Sequence, residues 1–253
     1  MASLLAALEF PPVGHLLDWP TIVAGINKPV LIYFFAVITT IVLFAIAGSK
    51  RQLVPTGVQN LMESAVGFVE NSIIMQTIGP SGMHFLPFLA TIFFFVFFSN
   101  ITEIIPFIQF PANARMAMPA FMAILVWLIY NFLGFKHQGI RYLTNTLFPP
   151  GVPGALKPLV AIIELVSTFV VRPFSLAVRL FANMMAGHLL LVTFAVLTHT
   201  LITSGNVLVA ISPLPFIVLV GLLAFEILVG FLQAFIFSIL TAVYIGGAIH
   251  PEH

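Results

Sequence analysis

The sequence predicts an all-α integral membrane protein with about five transmembrane helices, the last two unusually long, and one amphipathic surface helix. Three observations predict it. Of the 253 residues, 60% are hydrophobic and only 7% are charged, against about 25% charged in an ordinary soluble domain. Apolar runs long enough to cross about 30 Å of hydrocarbon recur along the chain. One stretch between two of them instead mixes acids with apolar residues at helical spacing. A net charge of +1 gives no basis for nucleic-acid binding. No GxxxxGK[ST] loop, HExxH or GxSxG is present, so no nucleotide, zinc or serine-hydrolase site is expected. No catalytic residue, metal ligand or cofactor is assigned, and with no cysteine there is no disulfide.

Residues 1–28 are mixed and interrupted by Pro11, Pro12, Gly14 and Pro20. Asp18, Trp19 and Lys28 suggest an interfacial arm, with Trp19 as an anchor at the membrane boundary. No basic stretch precedes an apolar core there, so no cleavable signal peptide is expected. The first span is 29–47; it opens on Pro29, suited to a first helical turn, and closes before Lys50 and Arg51. Residues 55–78 carry Glu63 and Glu70 on one face and Leu61, Met62, Val66, Val69 and Ile73 elsewhere. This reads as an amphipathic cytoplasmic helix whose acids form a solvated face. The second span, 85–105, carries Asn100 and Glu103 in its last turns and stops before Pro106. The third, 119–135, ends at Lys136 and His137. A turn-rich connector holding Pro149, Pro150, Gly151, Pro153 and Gly154 follows.

Segments 158–200 and 213–249 are too long for vertical spans. A vertical span needs about 20 residues, whereas these would measure about 50–65 Å. Neither contains a polar turn, so each is expected to be one steeply tilted helix. Lys50, Arg51, Lys136, Arg141 and Lys157 fall on one side and Arg115 on the other. The positive-inside rule then places the N-terminus outside and the C-terminus in the cytoplasm.

Several polar residues lie inside these apolar helices: Asn100, Glu103, Glu164, Arg172, Arg179, Asn183, His188, Glu226 and Gln233. Acids and a histidine at membrane depth are the ingredients of a proton path. At about 100° per residue, Arg179 and Asn183 share a face. His188 points away from Arg179, about 13 Å further along the axis. Glu226 and Gln233 form a stripe to which Tyr244 returns. Arg179 is the anchor of this set. A guanidinium stays charged in proteins, and burying one at the bilayer centre costs about 3 to over 10 kcal/mol. Its neighbours one turn away, Ser175 and Asn183, are neutral. Its partner must come from tertiary packing or from another chain. A lone buried histidine or glutamate is often only a satisfied structural residue, and Arg172, just before Pro173, reads as interfacial or structural.

The run Ser175-Leu-Ala-Val-Arg179-Leu-Phe-Ala-Asn183-Met-Met-Ala-Gly187-His188 resembles subunit a of the rotary F-type ATP synthases. So do Glu226 followed by Gln233-Ala-Phe-Ile-Phe237 and Leu240-Thr-Ala-Val-Tyr244, and Asn100-Ile-Thr-Glu103-Ile-Ile-Pro106. The resemblance covers nearly the whole chain. It implies a non-catalytic, proton-translocating stator subunit whose two long helices press on a c-ring. Arg179 would face the carboxylate of each passing c subunit. His188 and Glu226, with Asn100, Glu103 and Gln233, would line an aqueous half-channel from outside. Glu164 would lie on a second half-channel to the inside, with Asn183 and Gln233 supporting Arg179, and Tyr244 belonging to the same translocating set. The resemblance also implies a peripheral-stalk b-type subunit, the F1 sector indirectly, and a bacterial plasma membrane or an organelle inner membrane. The residues alone leave two alternatives: a standalone proton- or cation-coupled transporter, and an assembly subunit with Arg179 in a static ion pair. A standalone transporter often shows internal repeats, and none is visible here.

Overall fold

The computed structural model describes residues 27–49, 52–105, 108–148, 153–204 and 207–249. Trp19 and the arm before residue 27, the pair Lys50 and Arg51, Pro106, and the connector prolines 149 and 150 lie outside the described residues. The described residues are helices and short turns. Five helices are long and apolar enough to cross a membrane, the last two being Lys157–Thr203 and Val207–Ile249.

Helix α1 (Lys28–Ser49) buries a single stripe, Pro29, Ile32, Ala36 and Thr40. The three- and four-residue steps are those of one helix face. Its other faces, with Phe34, Ile38 and Ile41, are exposed as a lipid-facing surface would be. Helix α2 (Val58–Val69) buries Met62 and Val69 and runs on through a π turn, Glu70–Ile74, and Met75–Thr77. Glu63 is exposed and accepts a 2.7 Å hydrogen bond from Gln59, while Glu70 is partly buried. A 3₁₀ turn (Pro80–Phe85) leads into α3 (Leu86–Ile101), which is buried along most of its length.

Glu103 does not sit in the last turn of α3, as its spacing suggests, but in a turn just beyond it. Pro106 disfavours helical backbone before it, and the Thr102 hydroxyl donates back to the Ser99 carbonyl at 2.8 Å. The 3₁₀ turn Ala112–Ala114 then leads to α4 (Ala117–Gln138).

Between α4 and the turn-rich connector lies a short helix, α5 (Arg141–Leu147), that the sequence pattern does not give. Seven residues are too few for an apolar period to stand out. Tertiary contact holds α5 in place. The Tyr142 ring lies where a Cβ on Gly134 would be, 2.5–2.7 Å from it. Its hydroxyl donates to Asn131 at 3.2 Å. Gly134→Ala is therefore expected to destabilise the α4–α5 corner by about 1–3 kcal/mol, the usual cost of overpacking. Thermal unfolding of the purified protein in detergent checks this: an unchanged midpoint would contradict it.

Helix α6 (Lys157–Val166), a π turn (Ser167–Val171) and α7 (Arg172–Thr203) form one helical rod of 47 residues. At about 1.5 Å per residue it measures about 70 Å. Pro173 interrupts it without ending it. A proline inside a helix removes one backbone hydrogen bond, and here it falls where the π turn has already changed the bonding pattern. A 3₁₀ turn (Val207–Ile211) precedes α8 (Pro213–Ile249), continuous for 37 residues.

Helix α8 is the centre of the packing. It lies against α3, α4 and α7, while α7 also packs on α4. Its buried stripe runs Glu226, Gly230, Gln233, Phe237, Thr241 and Ile245, again in steps of three and four. Helix α1 stands at the edge, against α2, α3 and the Ala112–Ala114 turn.

Candidate functional site

The polar residues of the long helices collect into two groups, one toward each end of the α7–α8 pair. The first lies near the end of α3. The imidazole of His188 approaches the Glu103 carboxylate at 3.1 Å, and both residues are buried. Glu226 is buried beside them, its carboxyl lying against Gly187; a Cβ there would collide with it. Among the described residues Glu226 makes no hydrogen bond or ion pair. Asn183 donates to Gln233 at 2.7 Å, and the Gln233 amide nitrogen is buried without a partner. Asn100, Glu103, Asn183, Glu226 and Gln233 together line a small cavity with room for about one water molecule.

The second group lies toward the other end. Arg172 stands 4.0 Å from Glu164 and 5.5 Å over the ring of Tyr244. Tyr130 lies 5.5 Å from Tyr244, ring to ring, and donates to the Thr168 carbonyl at 2.9 Å. The π turn explains why Glu164 and Arg172 meet. Eight residues of regular α-helix would set them about 80° apart. A π turn absorbs one extra residue, which restores the seven-residue spacing of a shared face. At 4.0 Å and about one-third exposure each, the pair adds little stability by itself.

Two contacts fix how α7 and α8 register. Asn183 meets Gln233, and eleven residues along each helix Arg172 meets Tyr244. The helices therefore run antiparallel and in step. Arg179, four residues before Asn183, is then about level with Phe237, four residues after Gln233. Phe237 is fully buried. Arg179 itself is half-buried and makes no hydrogen bond or ion pair among the described residues. So one permanent charge, level with a buried phenylalanine, stands between two polar groups on the same helix pair.

The family described as ATP synthase A chain matches residues 30–246. The chain belongs to the ATP synthase A chain family. ATP synthase subunit a of Frankia alni is 41% identical, over 90% of this chain and 79% of that protein. ATP synthase subunit a of a Nocardioides species is 39% identical, over 96% and 94%, and that of Maricaulis maris is 40% identical, over 87% and 88%.

Within this member of the ATP synthase A chain family, the structure groups the sequence-predicted residues differently from their spacing. His188 contacts Glu103, not Glu226, though Glu226 lies against the residue next to His188. Tyr244 does not join Glu226 and Gln233; it lies with Arg172, about 16 Å along α8 from Gln233. Asn183 is turned to Gln233 rather than to Arg179. Arg172, read as interfacial or structural, stands in a polar group with Glu164 and Tyr244. Sequence reasoning missed Asn113, whose side chain donates to Asn100 at 2.7 Å, and Tyr130. Each lies on a turn or helix whose other residues are ordinary, so only tertiary contact reveals it.

Proposed function

We propose that this chain is the proton-translocating stator subunit of an F-type ATP synthase, with no catalytic site of its own. The observation that carries this reading is Arg179: a permanent charge on an apolar helix, half-buried, with no partner among the described residues. Its partner is the carboxylate of each passing subunit of a c-ring.

The chemistry follows from the two polar groups. A proton from outside reaches Glu226, with His188 and Glu103 beside it, and passes to the ring carboxylate near Asn183 and Gln233. Ring rotation carries the protonated, neutral carboxyl through the lipid. The proton leaves on the inside past Glu164, Arg172 and Tyr244. Arg179 holds the arriving carboxylate in its ionised form, which favours release. It neither gives up nor accepts a proton, and with Phe237 it interrupts any direct path between the groups. Leu190, about 20° round α7 from Arg179, and Phe225 and Leu228 of α8 are exposed, which suits a neighbouring ring of helices. A peripheral-stalk b-type subunit, and through it the F1 sector, completes the assembly. The chain sits in a bacterial plasma membrane with its N-terminus outside and its C-terminus in the cytoplasm.

Cross-linking tests the reading. The chain has no cysteine, so Ala186→Cys supplies a single thiol on the exposed side of α7, one turn beyond Asn183. A benzophenone attached there is expected to capture one c subunit in membranes of the assembled complex. Capture of lipid alone would instead favour a standalone transporter.

A further inference from the structure

Asn113, on the Ala112–Ala114 turn, is buried and joined to two helices, α3 and α1. Its amide nitrogen donates to Ser99 at 2.9 Å and to Asn100 at 2.7 Å. Tyr33 of α1 donates to the Ala112 carbonyl at 2.8 Å and lies 3.3 Å from the Asn113 oxygen. Asn100 in turn donates to the Gly230 carbonyl of α8 at 3.4 Å.

The direction of this chain is set by chemistry. The Ser99 hydroxyl has one hydrogen, and it goes to the Val96 carbonyl at 3.0 Å. Ser99 can therefore only accept from Asn113, so the Asn113 atom facing it is nitrogen. The second hydrogen on that nitrogen needs an acceptor, which makes the near atom of Asn100 its oxygen. The Asn100 nitrogen is left pointing at α8, where the Gly230 carbonyl accepts. Asn100 and Gly230 both line the cavity shared by Glu103, Glu226 and Gln233.

We infer that Asn113 is a positioning residue for proton uptake: together with Ser99 it locks the Asn100 amide so that an N–H donor, not a carbonyl oxygen, meets α8 at the cavity of Glu226. This rests on the proposed role of that cavity as the outer half-channel. With the amide reversed, two oxygens would oppose each other at Gly230. An oxygen in place of the N–H would then line the cavity that Glu226 shares, and the Asn100 hydrogen bond that ties α8 to α3 midway between Glu226 and Gln233 would be lost.

The test measures ATP-driven proton pumping in inverted membrane vesicles, normalised to assembled complex, for Asn113→Leu and Asn113→Asp. Asn113→Leu is expected to lower pumping about 2- to 10-fold at every pH, the weight of the one buried Asn100–Gly230 hydrogen bond whose direction it no longer fixes. Asn113→Asp matches the native shape. Protonated, it can still donate to Asn100; ionised, it can only accept, and Asn100 must turn over. Its pumping relative to the native chain is therefore expected to fall as pH rises from about 6 to 8, since a buried carboxyl holds its proton to higher pH than usual. The charged or titratable groups nearby are Tyr33 of α1, Glu103 after α3, Arg115 on the turn, His188 of α7 and Glu226 of α8. All of these are present in both chains, so the ratio reports the substitution. Native pumping in Asn113→Leu, or a pH-independent ratio for Asn113→Asp, would overturn the inference. If Asn113→Leu does not assemble, the Asn113→Asp ratio decides. Glu226→Gln serves as the reference: native pumping there would overturn the half-channel reading itself, whereas loss there with native Asn113 variants overturns only the inference.

Discussion

Arg179→Ala is expected to abolish both ATP synthesis and ATP-driven proton pumping, to below about 1% of native, while complexes still assemble. The magnitude is that of removing a preorganised charge from a water-poor site, about 100- to 1,000-fold. The physical argument has two parts. Without the guanidinium, nothing on α7 favours the ionised form of the ring carboxylate, so release to the inside slows. Nor does a fixed charge stand between the outer group at Glu226 and the inner group at Glu164. Passive proton leak through the membrane sector should therefore rise as coupled flux falls. Arg179→Lys is expected to fail as well, because an ammonium in a desolvated site can lose its proton and so relay it. Fluorescence-quench pumping and leak assays on vesicles separate the outcomes. Intact coupled pumping in Arg179→Ala would sink the rotary role. Reduced assembly with normal coupling in what remains would point to a static ion pair instead.

Gly187→Leu is expected to lower pumping about 10-fold or more with near-normal assembly. A side chain at this position would occupy the place of the Glu226 carboxyl. The group displaced is the end of a flexible side chain rather than backbone, so the fold can absorb the change by swinging it aside. The site cannot, because a proton-transferring carboxyl works only within hydrogen-bond reach of its partners, and such groups carry about 100- to 10,000-fold. Gly187→Ala should show the same defect more weakly. Pumping normalised to immunodetected complex checks this. Native pumping in Gly187→Leu would mean that the Glu226 carboxyl need not sit against α7.

Particular residues show how much the sequence made legible. The spans were readable because a bilayer demands long apolar helices, and the chain has few charges to spare for anything else. Arg179 was legible for the same reason: its cost in lipid marks it without a partner in view. Glu226, Gln233 and His188 stood out by the same contrast. Their groupings were not legible. Helical angles place residues on faces of one helix but say nothing about the register between helices. Hence Tyr244, on the same stripe as Glu226 by angle, belongs with Arg172, and His188 finds Glu103 across more than eighty positions of sequence. The pairing of Glu164 with Arg172 depended on a π turn that shifts the face by one residue. No residue type announces such a turn.

The sequence by itself determined that this is a five-span membrane protein with one unavoidable charge at Arg179, because the bilayer makes polarity so costly that composition alone reveals it. Only the tertiary structure decided that the remaining polar residues form two groups with Phe237 and Arg179 between them. That separation comes from antiparallel helices in step, held by Asn183 with Gln233 and by Arg172 over Tyr244. Contacts between helices distant in sequence set that register, and no local pattern encodes it.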